Sequence, residues 1–356
     1  MRRSLNKHKS NHQKPVNEFR TCMLDWYQEH ARVLPWRAKF GEFPDPYHEW
    51  LSEIMLQQTV VKAVIKYFDR FITLWPSVND LAEASQEDVM REWAGLGYYA
   101  RARNLHKCAK IISDEYDGHF PRSEEELLKL PGIGPYTAAA ISSIAYGNPS
   151  TVMDGNIERV MVRVFAHKQP IKETKKDVYG YAKYFSDGCI DYPGEYAQAL
   201  MDLGATICTP MSPKCMLCPI SDFCSSYKQG LQDKIPVKKV KQAKPTRYGT
   251  VYFIENEKGE LLSETRPEKG LFAGMRALPG TSWQEDKQVI ANTIKNFQIN
   301  HTFTHFHLIL KGKVLKNKEF DYINKDCFWF DPSDYDKIGL PSLYKKAVKQ
   351  YINLKG

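Results

Sequence analysis

LPGIGPYTAAAISSIAYGNPSTVMDGN, residues 130–156, is the stretch whose reading decides the fold. Two glycines two apart after a proline, Pro131-Gly132-Ile133-Gly134, cannot continue a helix and predict a tight hairpin. Upstream, Ser123 is a helix N-cap with Glu126 three residues on, followed by apolar Leu127, Leu128 and Leu130. Downstream, Thr137–Tyr146 predicts a helix of small residues able to pack closely. Helix, glycine hairpin, helix leaves backbone N–H groups open at a helix N-terminus, a ready place for a phosphate at Gly132 and Gly134. A plain packing corner would explain the glycines alone. Asp154 adds something else, a carboxylate just before a helix carrying apolar Ile157, Val160, Met161, Val164 and Phe165.

Working outward, residues 17–31 predict a helix with Phe19, Met23, Trp26 and Tyr27 on one face. Tyr47–Thr59 predicts another, with Trp50, Leu51, Ile54, Met55 and Gln58 as its inward stripe. Glu53 sits beside that stripe. It is either an ordinary surface glutamate or a carboxyl in a partly apolar pocket, its pKa raised for use as a general acid. Further helices are expected at Val60–Phe71, Glu87–Trp93 and Tyr99–Tyr116. The paired Tyr98 and Tyr99 on a glycine turn are either packing residues or a wedge for a base stack. Cys208, Cys215, Cys218 and Cys224 fall in a proline-stiffened loop with metal-ligand spacing. Thiolates suit both zinc and iron–sulfur, so the spacing leaves the metal open. The isolated Cys22, Cys108, Cys189 and Cys327 read as packing residues.

The chain has 356 residues, room for two or three domains, and a formal charge of +8 that fits a polyanionic partner without demanding one. No apolar run approaches the ~20 residues of a membrane helix. The basic N-terminus lacks the apolar segment of a secretory signal, and eight cysteines without one point to a reducing compartment and to metal before disulfides. Residues 1–16 read as a disordered basic tail, 17–226 as a helical domain, 227–247 as a basic linker and 248–356 as a small α+β domain. Within the last, strands are expected at Gly249–Glu255, Glu260–Thr265 and Cys327–Phe330, and helices at Gln284–Phe297 and Ser342–Leu354. Thr302–Val314 is a strand pair or one long strand.

From about residue 17 the chain resembles the MutY family of adenine DNA glycosylases, within the endonuclease III-like superfamily. The motifs that carry the likeness are LPWR (34–37), SEIMLQQT (52–59), GLGYYARARNL (95–105), LPGIGPYTAAAI (130–141), VMDGNIERV (152–160) and the four-cysteine loop. The resemblance implies a multidomain fold, an all-α helix-hairpin-helix glycosylase domain with an iron–sulfur loop plus a C-terminal α+β Nudix-like domain. It implies hydrolytic removal of adenine mispaired with 8-oxoguanine or guanine from double-stranded DNA, in base-excision repair, after flipping of the base. Glu53 would be the general acid and Asp154 the stabiliser of the oxocarbenium ion, with Tyr136 and Asn156 orienting them. Arg32, Leu34, Trp36, Arg37 and Gln198 would surround the flipped adenine. Gln58, Thr59 and Tyr98 would flank the 8-oxoguanine, which Phe303, Thr304 and His305 would read. Cys208, Cys215, Cys218 and Cys224 would hold a [4Fe-4S] cluster. A monomer in the bacterial cytoplasm, at the nucleoid and not at a membrane, is the expected setting.

The sequence departs from the family pattern in places. The loop Ala38–Asp45 is longer than usual, and Thr304 stands where the family has serine. GLFAGMRALPG (270–280) lacks the aromatic residues often found after its methionine. No dense glutamate box for metal is present there, so the C-terminal domain reads as recognition only. The rival readings are a glycosylase for another base, such as thymine opposite guanine, and a non-enzymatic, cluster-bearing DNA-binding protein.

Overall fold

A computed structural model describes residues 5–188, 191–237, 243–267, 270–286, 294, 297–316 and 327–355. Its contacts divide the chain into two units, residues 1–82 with 107–240, and residues 83–106 with 241–356. This division differs from the expected one, because 83–106 groups with the C-terminal segment and the boundary near 240 falls inside the expected linker.

The first unit is helical. It contains α1 (Leu5–His30), α2 (Pro46–Leu56), α3 (Val61–Leu74) and most of α4 (Val78–Glu83). The expected tail is corrected here, since α1 starts at Leu5 and runs through Pro15. Residues 6–14 contain neither glycine nor proline, and Val16 is already in the core, so the helix has reason to extend N-terminally past residue 17. After α5 (Gln86–Glu92) and α6 (Ala100–Tyr116) come α7 (Glu124–Leu127) and α8 (Pro135–Ile144). Ser123 caps α7, its hydroxyl accepting from the Glu126 N–H at 3.3 Å. Between α7 and α8 lies the glycine hairpin, with Gly132 at φ +81°. Then follow α9 (Gly155–Val164), α10 (Lys175–Ser186), α11 (Pro193–Thr206) and the short α12 (Ser225–Lys228).

One core joins Phe19, Met23 and Tyr27 of α1 to Ala139 and Ala140 of α8, Ile157, Val160 and Met161 of α9, and Leu200 and Leu203 of α11. Small residues on α8 and Gly204 on α11 let these helices approach closely. A β-carbon on Gly204 would sit 2.5 Å from the Cβ of Asn156. The expected linker begins too early. Ile235 is buried with Val162 and Val178, and its carbonyl accepts from Arg163 Nε at 2.8 Å, so the chain stays with this unit past residue 227.

The second unit carries α5, the start of α6 and a mixed sheet of β1 (Thr246–Glu255), β2 (Leu261–Thr265), β3 (Arg276–Ala277), β4 (Gln298–Thr302), β5 (His307–Lys316) and β6 (Cys327–Phe330). The strand order is β3-β2-β1-β5-β4, with β6 also on β2. β1 pairs in parallel with β5 from Thr246↔His307 to Glu255↔Lys316, while β4 and β5 are antiparallel. Asn256 Oδ1 accepts from Lys258 and Glu260 N–H at 2.9 and 3.0 Å, and Gly259 at φ +81° closes that turn. α13 (Ser342–Lys355) buries Leu343, Tyr344, Ala347, Val348 and Tyr351 in this unit's core. Within Thr302–Val314, read as a strand pair or one long strand, the structure places the last residue of β4, a turn at 303–306 and then the single strand β5. Most of the helix expected over Gln284–Phe297 lies outside the described residues, as does Cys189; Gln284 itself bridges Tyr248. Among the described residues, no helix is long and apolar enough to cross a membrane.

Candidate active site

The first unit opens a cleft of about 1030 Å³ on the hairpin side. Of the sequence-predicted residues, Arg32, Leu34, Trp36, Arg37, Glu53, Gln58, Thr59, Gly132, Gly134, Tyr136, Asp154, Asn156 and Gln198 line it. Residues the sequence reading passed over also line it, notably Glu49, Gln57 and Met201.

Glu53 comes from α2. Asp45 starts this helix by accepting from Tyr47 N–H at 2.7 Å, with Pro46 at the first position. The helix stops at Leu56, earlier than expected, and Gln58 takes a left-handed backbone at φ +59°. Gln58 is therefore exposed at the cleft and is not part of an inward stripe. Glu53 is 5% exposed. Burial is the main force on it, lifting its pKa from 4.5 to about 7; a hydrogen bond from the Tyr136 hydroxyl opposes that rise, and the Asp154 charge adds to it. Its second carboxyl oxygen has no partner among the described residues.

Asp154 faces it from the N-cap of α9. Oδ1 accepts from Ile157 N–H at 2.7 Å and Oδ2 from the Asn156 amide at 2.8 Å. Burial raises the Asp154 pKa, and these donors, with the Arg159 charge, oppose the rise. Asn156 is held in turn by Arg159, whose NH2 donates to Asn156 Oδ1 at 2.9 Å and whose Nε donates to the Cys208 carbonyl at 2.7 Å. A continuous hydrogen-bonded path thus runs from the Asp154 carboxylate to the cysteine loop.

Arg32 and Arg37 converge on Asp202 of α11, whose side chain is fully buried. Arg37 grips both carboxylate oxygens at 2.7 and 2.8 Å, and Arg32 Nε reaches Oδ1 at 2.6 Å. Burial alone would raise the Asp202 pKa; the two arginines outweigh it and hold the pKa below the ordinary value. Beside them Gln198 Oε1 accepts from Tyr27 OH at 3.2 Å, and Trp36 packs edge-on to Phe68. Asp202 carries no motif signal. Only the structure shows that it anchors both arginines.

Cys208, Cys215, Cys218 and Cys224 ring a small pocket together with Arg163, Tyr227 and Gln232. Burial pushes the Cys218 thiol up to about 12 and raises Cys215 and Cys224, with the charge of Cys208 adding to the rise at all three. Arg163 NH1 donates to Cys208 Sγ at 3.2 Å and to the Thr209 carbonyl at 2.7 Å, while its NH2 is buried without a partner among the described residues. Four cysteines lining one pocket beside a buried guanidinium suit an anionic thiolate cluster by their chemistry, although as they stand no three of them form a metal-binding group among the described residues.

In the second unit, Tyr98 is half-exposed with a left-handed backbone at φ +49°. Its hydroxyl lies 3.1 Å from Thr304 Oγ1. Thr304 and His305 are exposed at the β4–β5 tip, where Phe303 packs against Phe306, Trp283 and Phe272. The backbone closes the tip through Phe303 N–H to the Phe306 carbonyl at 2.9 Å.

A helix-hairpin-helix unit with a helix-capping aspartate, a buried glutamate and a four-cysteine loop defines a base-excision DNA glycosylase carrying a [4Fe-4S] cluster. Family models agree: residues 51–183 match the HhH-GPD superfamily base excision DNA repair proteins, 208–224 the iron-sulfur binding domain of endonuclease III, and 250–350 the NUDIX domain. The chain is 32% identical over 345 residues to an adenine DNA glycosylase of Buchnera aphidicola from Acyrthosiphon pisum, covering 94% of this chain and 97% of the relative. It is 34% identical to the Homo sapiens adenine DNA glycosylase, covering 94% of this chain and 74% of that one. The solved structure of a thermostable thymine-DNA glycosylase aligns with a TM-score of 0.54 at 28% identity, covering 61% of this chain and 98% of that one. This chain belongs to the adenine DNA glycosylase family, hydrolases of N-glycosyl bonds in base-excision repair.

Proposed function

We propose that this enzyme removes adenine mispaired with 8-oxoguanine, or with guanine, from double-stranded DNA, acting as a monomer in the bacterial cytoplasm at the nucleoid. The observation that carries the chemistry is the pairing of Glu53 and Asp154 across one cleft with unlike surroundings. Glu53 is buried, holds its proton to about pH 7 and has an unpartnered oxygen. Asp154 is surrounded by donors that favour its charge. In this reading Glu53 protonates N7 of the flipped adenine, and the C1′–N9 bond breaks with its electron pair moving into the purine. Asp154 stabilises the cation left on the sugar until water adds at C1′. Tyr136 orients Glu53 and Asn156 orients Asp154. Arg32, Leu34, Trp36, Arg37 and Gln198 enclose the base, which must leave the duplex to reach them.

The hairpin N–H groups at Gly132 and Gly134 bind a phosphate of the strand. Space supports this, because a β-carbon on Gly134 would meet nothing within 4 Å. Gln58 and Thr59 fill the gap beside the lesion. Tyr98, Phe303, Thr304 and His305 read the 8-oxoguanine, a reading supported by the Tyr98–Thr304 contact. The four cysteines hold the cluster, which in this role fixes the loop. Tyr136 offers no amine, so no Schiff base forms there and strand cleavage needs alkali or another enzyme.

Single-turnover assays on duplexes with A:8-oxoguanine, A:G, T:G and A:T pairs test the proposal. Fast adenine release from the first two, none from A:T and no thymine release are expected. Preferred release of thymine would overturn it.

A further inference from the structure

Glu49 stands one helical turn before Glu53 on α2, lines the same cleft, and is 2% exposed. Among the described residues its carboxyl has no hydrogen-bond or ion-pair partner. The cation whose charge bears on it is Arg37, but that guanidinium already grips both oxygens of Asp202. Two carboxyls at i and i+4 on a buried face repel when both are charged. Of the two, Glu53 has the Tyr136 hydroxyl to favour its ionised form and Glu49 has nothing, so Glu49 keeps its proton longer. Burial, and after it the Glu53 charge, lift Glu49 well above the ordinary carboxyl range. An unpartnered buried acid is a poor structural choice, because an apolar side chain there would be more stable. Nothing in the described packing repays it.

We propose that Glu49 is a specificity-determining residue that meets the flipped base as a neutral carboxylic acid. Its O–H donates to a ring nitrogen of adenine, and its carbonyl accepts from the neighbouring exocyclic amine. A neutral acid is the one carboxyl state that offers a donor and an acceptor side by side, the pattern an aminopyridine edge requires. The neighbouring groups are consistent with a neutral acid. Tyr27, Tyr136 and Glu53 are all near enough to feel its charge, and only the committed Arg37 is positive. This inference rests on the proposed function, since it places the base in this cleft.

The test is single-turnover excision from a duplex with adenine opposite guanine, and from a matched duplex with purine, which lacks the exocyclic amine. Glu49→Gln presents the same donor and acceptor and should stay within about 3-fold of wild type on adenine. Glu49→Leu should lose about 10- to 100-fold on adenine, or about 1.4–2.8 kcal/mol at 1.4 per decade. On purine it should lose less, so the adenine-to-purine ratio falls. Its melting temperature should rise, which separates lost recognition from lost fold. Full activity in Glu49→Leu, an unchanged ratio, or a Glu49→Gln as inactive as Glu49→Leu would overturn the assignment. Failure of the wild type itself to release adenine would instead sink the function proposed above.

Discussion

Replacing Glu53 by glutamine should abolish excision and at the same time stabilise the protein above neutral pH. The loss of activity follows from removing the proton donor, an effect of about 10²–10⁴ in rate. The gain follows from burial, which raises the carboxyl from 4.5 to about 7 on folding. A pKa raised in the folded state means that the native protein holds the proton more tightly than the unfolded chain. That contribution is fully present below about pH 4.5 and is lost as pH rises through about 7. At 1.36 kcal/mol per pH unit of displacement, the charged carboxyl weakens the fold by up to about 3 kcal/mol at alkaline pH. Between pH 5.5 and 8.5 the stability difference between Glu53→Gln and wild type should therefore grow by about 2 kcal/mol, then level off. Urea unfolding at a series of pH values measures this, with both proteins carrying Glu49→Gln, because the Glu53 charge raises the Glu49 pKa and Glu49 would otherwise titrate differently in the two. A difference that stays flat with pH would refute the buried, neutral acid.

Four further outcomes are expected. Arg159→Ala cuts the path from Asp154 through Asn156 to the Cys208 carbonyl, and should slow single-turnover excision about 10-fold while iron content is retained. Gly204→Ala should slow the same step by displacing Asn156, with little change in duplex affinity. Asp202→Asn leaves Arg37 buried without its counter-charge and should destabilise the fold by about 3 kcal/mol in urea titration. Changing Thr304 and His305 together to alanine should erode the preference for A:8-oxoguanine over A:G by about 5- to 150-fold and spare A:G itself, because the N7–H of 8-oxoguanine loses its acceptor.

Local signals made much of the first unit legible. Pro131, Gly132 and Gly134 predicted the hairpin because their backbone limits act within a few residues, and Ser123 and Asp154 announced their caps for the same reason. The end of α2 was not legible, since nothing in Leu56-Gln57-Gln58 forbids a helix and the left-handed Gln58 is set by its surroundings. Glu49 escaped notice because one glutamate on an amphipathic helix looks like any other until its face is known to be a cleft. Asp202 is 170 residues from Arg32, and no periodicity reports such a pairing. In the second unit the alternating strands read well, but the parallel pairing of β1 with β5 joins residues about sixty apart and leaves no sequence trace.

The four carboxyls around the cleft differ in how their charge is met, and that difference orders their tasks. Asp202 has two guanidiniums and is committed to holding Arg32 and Arg37 in place. Asp154 has a helix N-terminus and an amide, enough to favour its charge while leaving it in the cleft, where a developing cation would complete its pairing. Glu53 has one phenolic donor and holds a proton near neutrality, as a group that must give it up and regain it should. Glu49 has no donor among the described residues and is the one best suited to stay neutral. Two arginines, a cap, a tyrosine and nothing therefore form a descending series of support for negative charge. The site's division into scaffold, cation partner, proton donor and neutral contact follows from that series, and the Glu49 and Glu53 substitutions test its lower half.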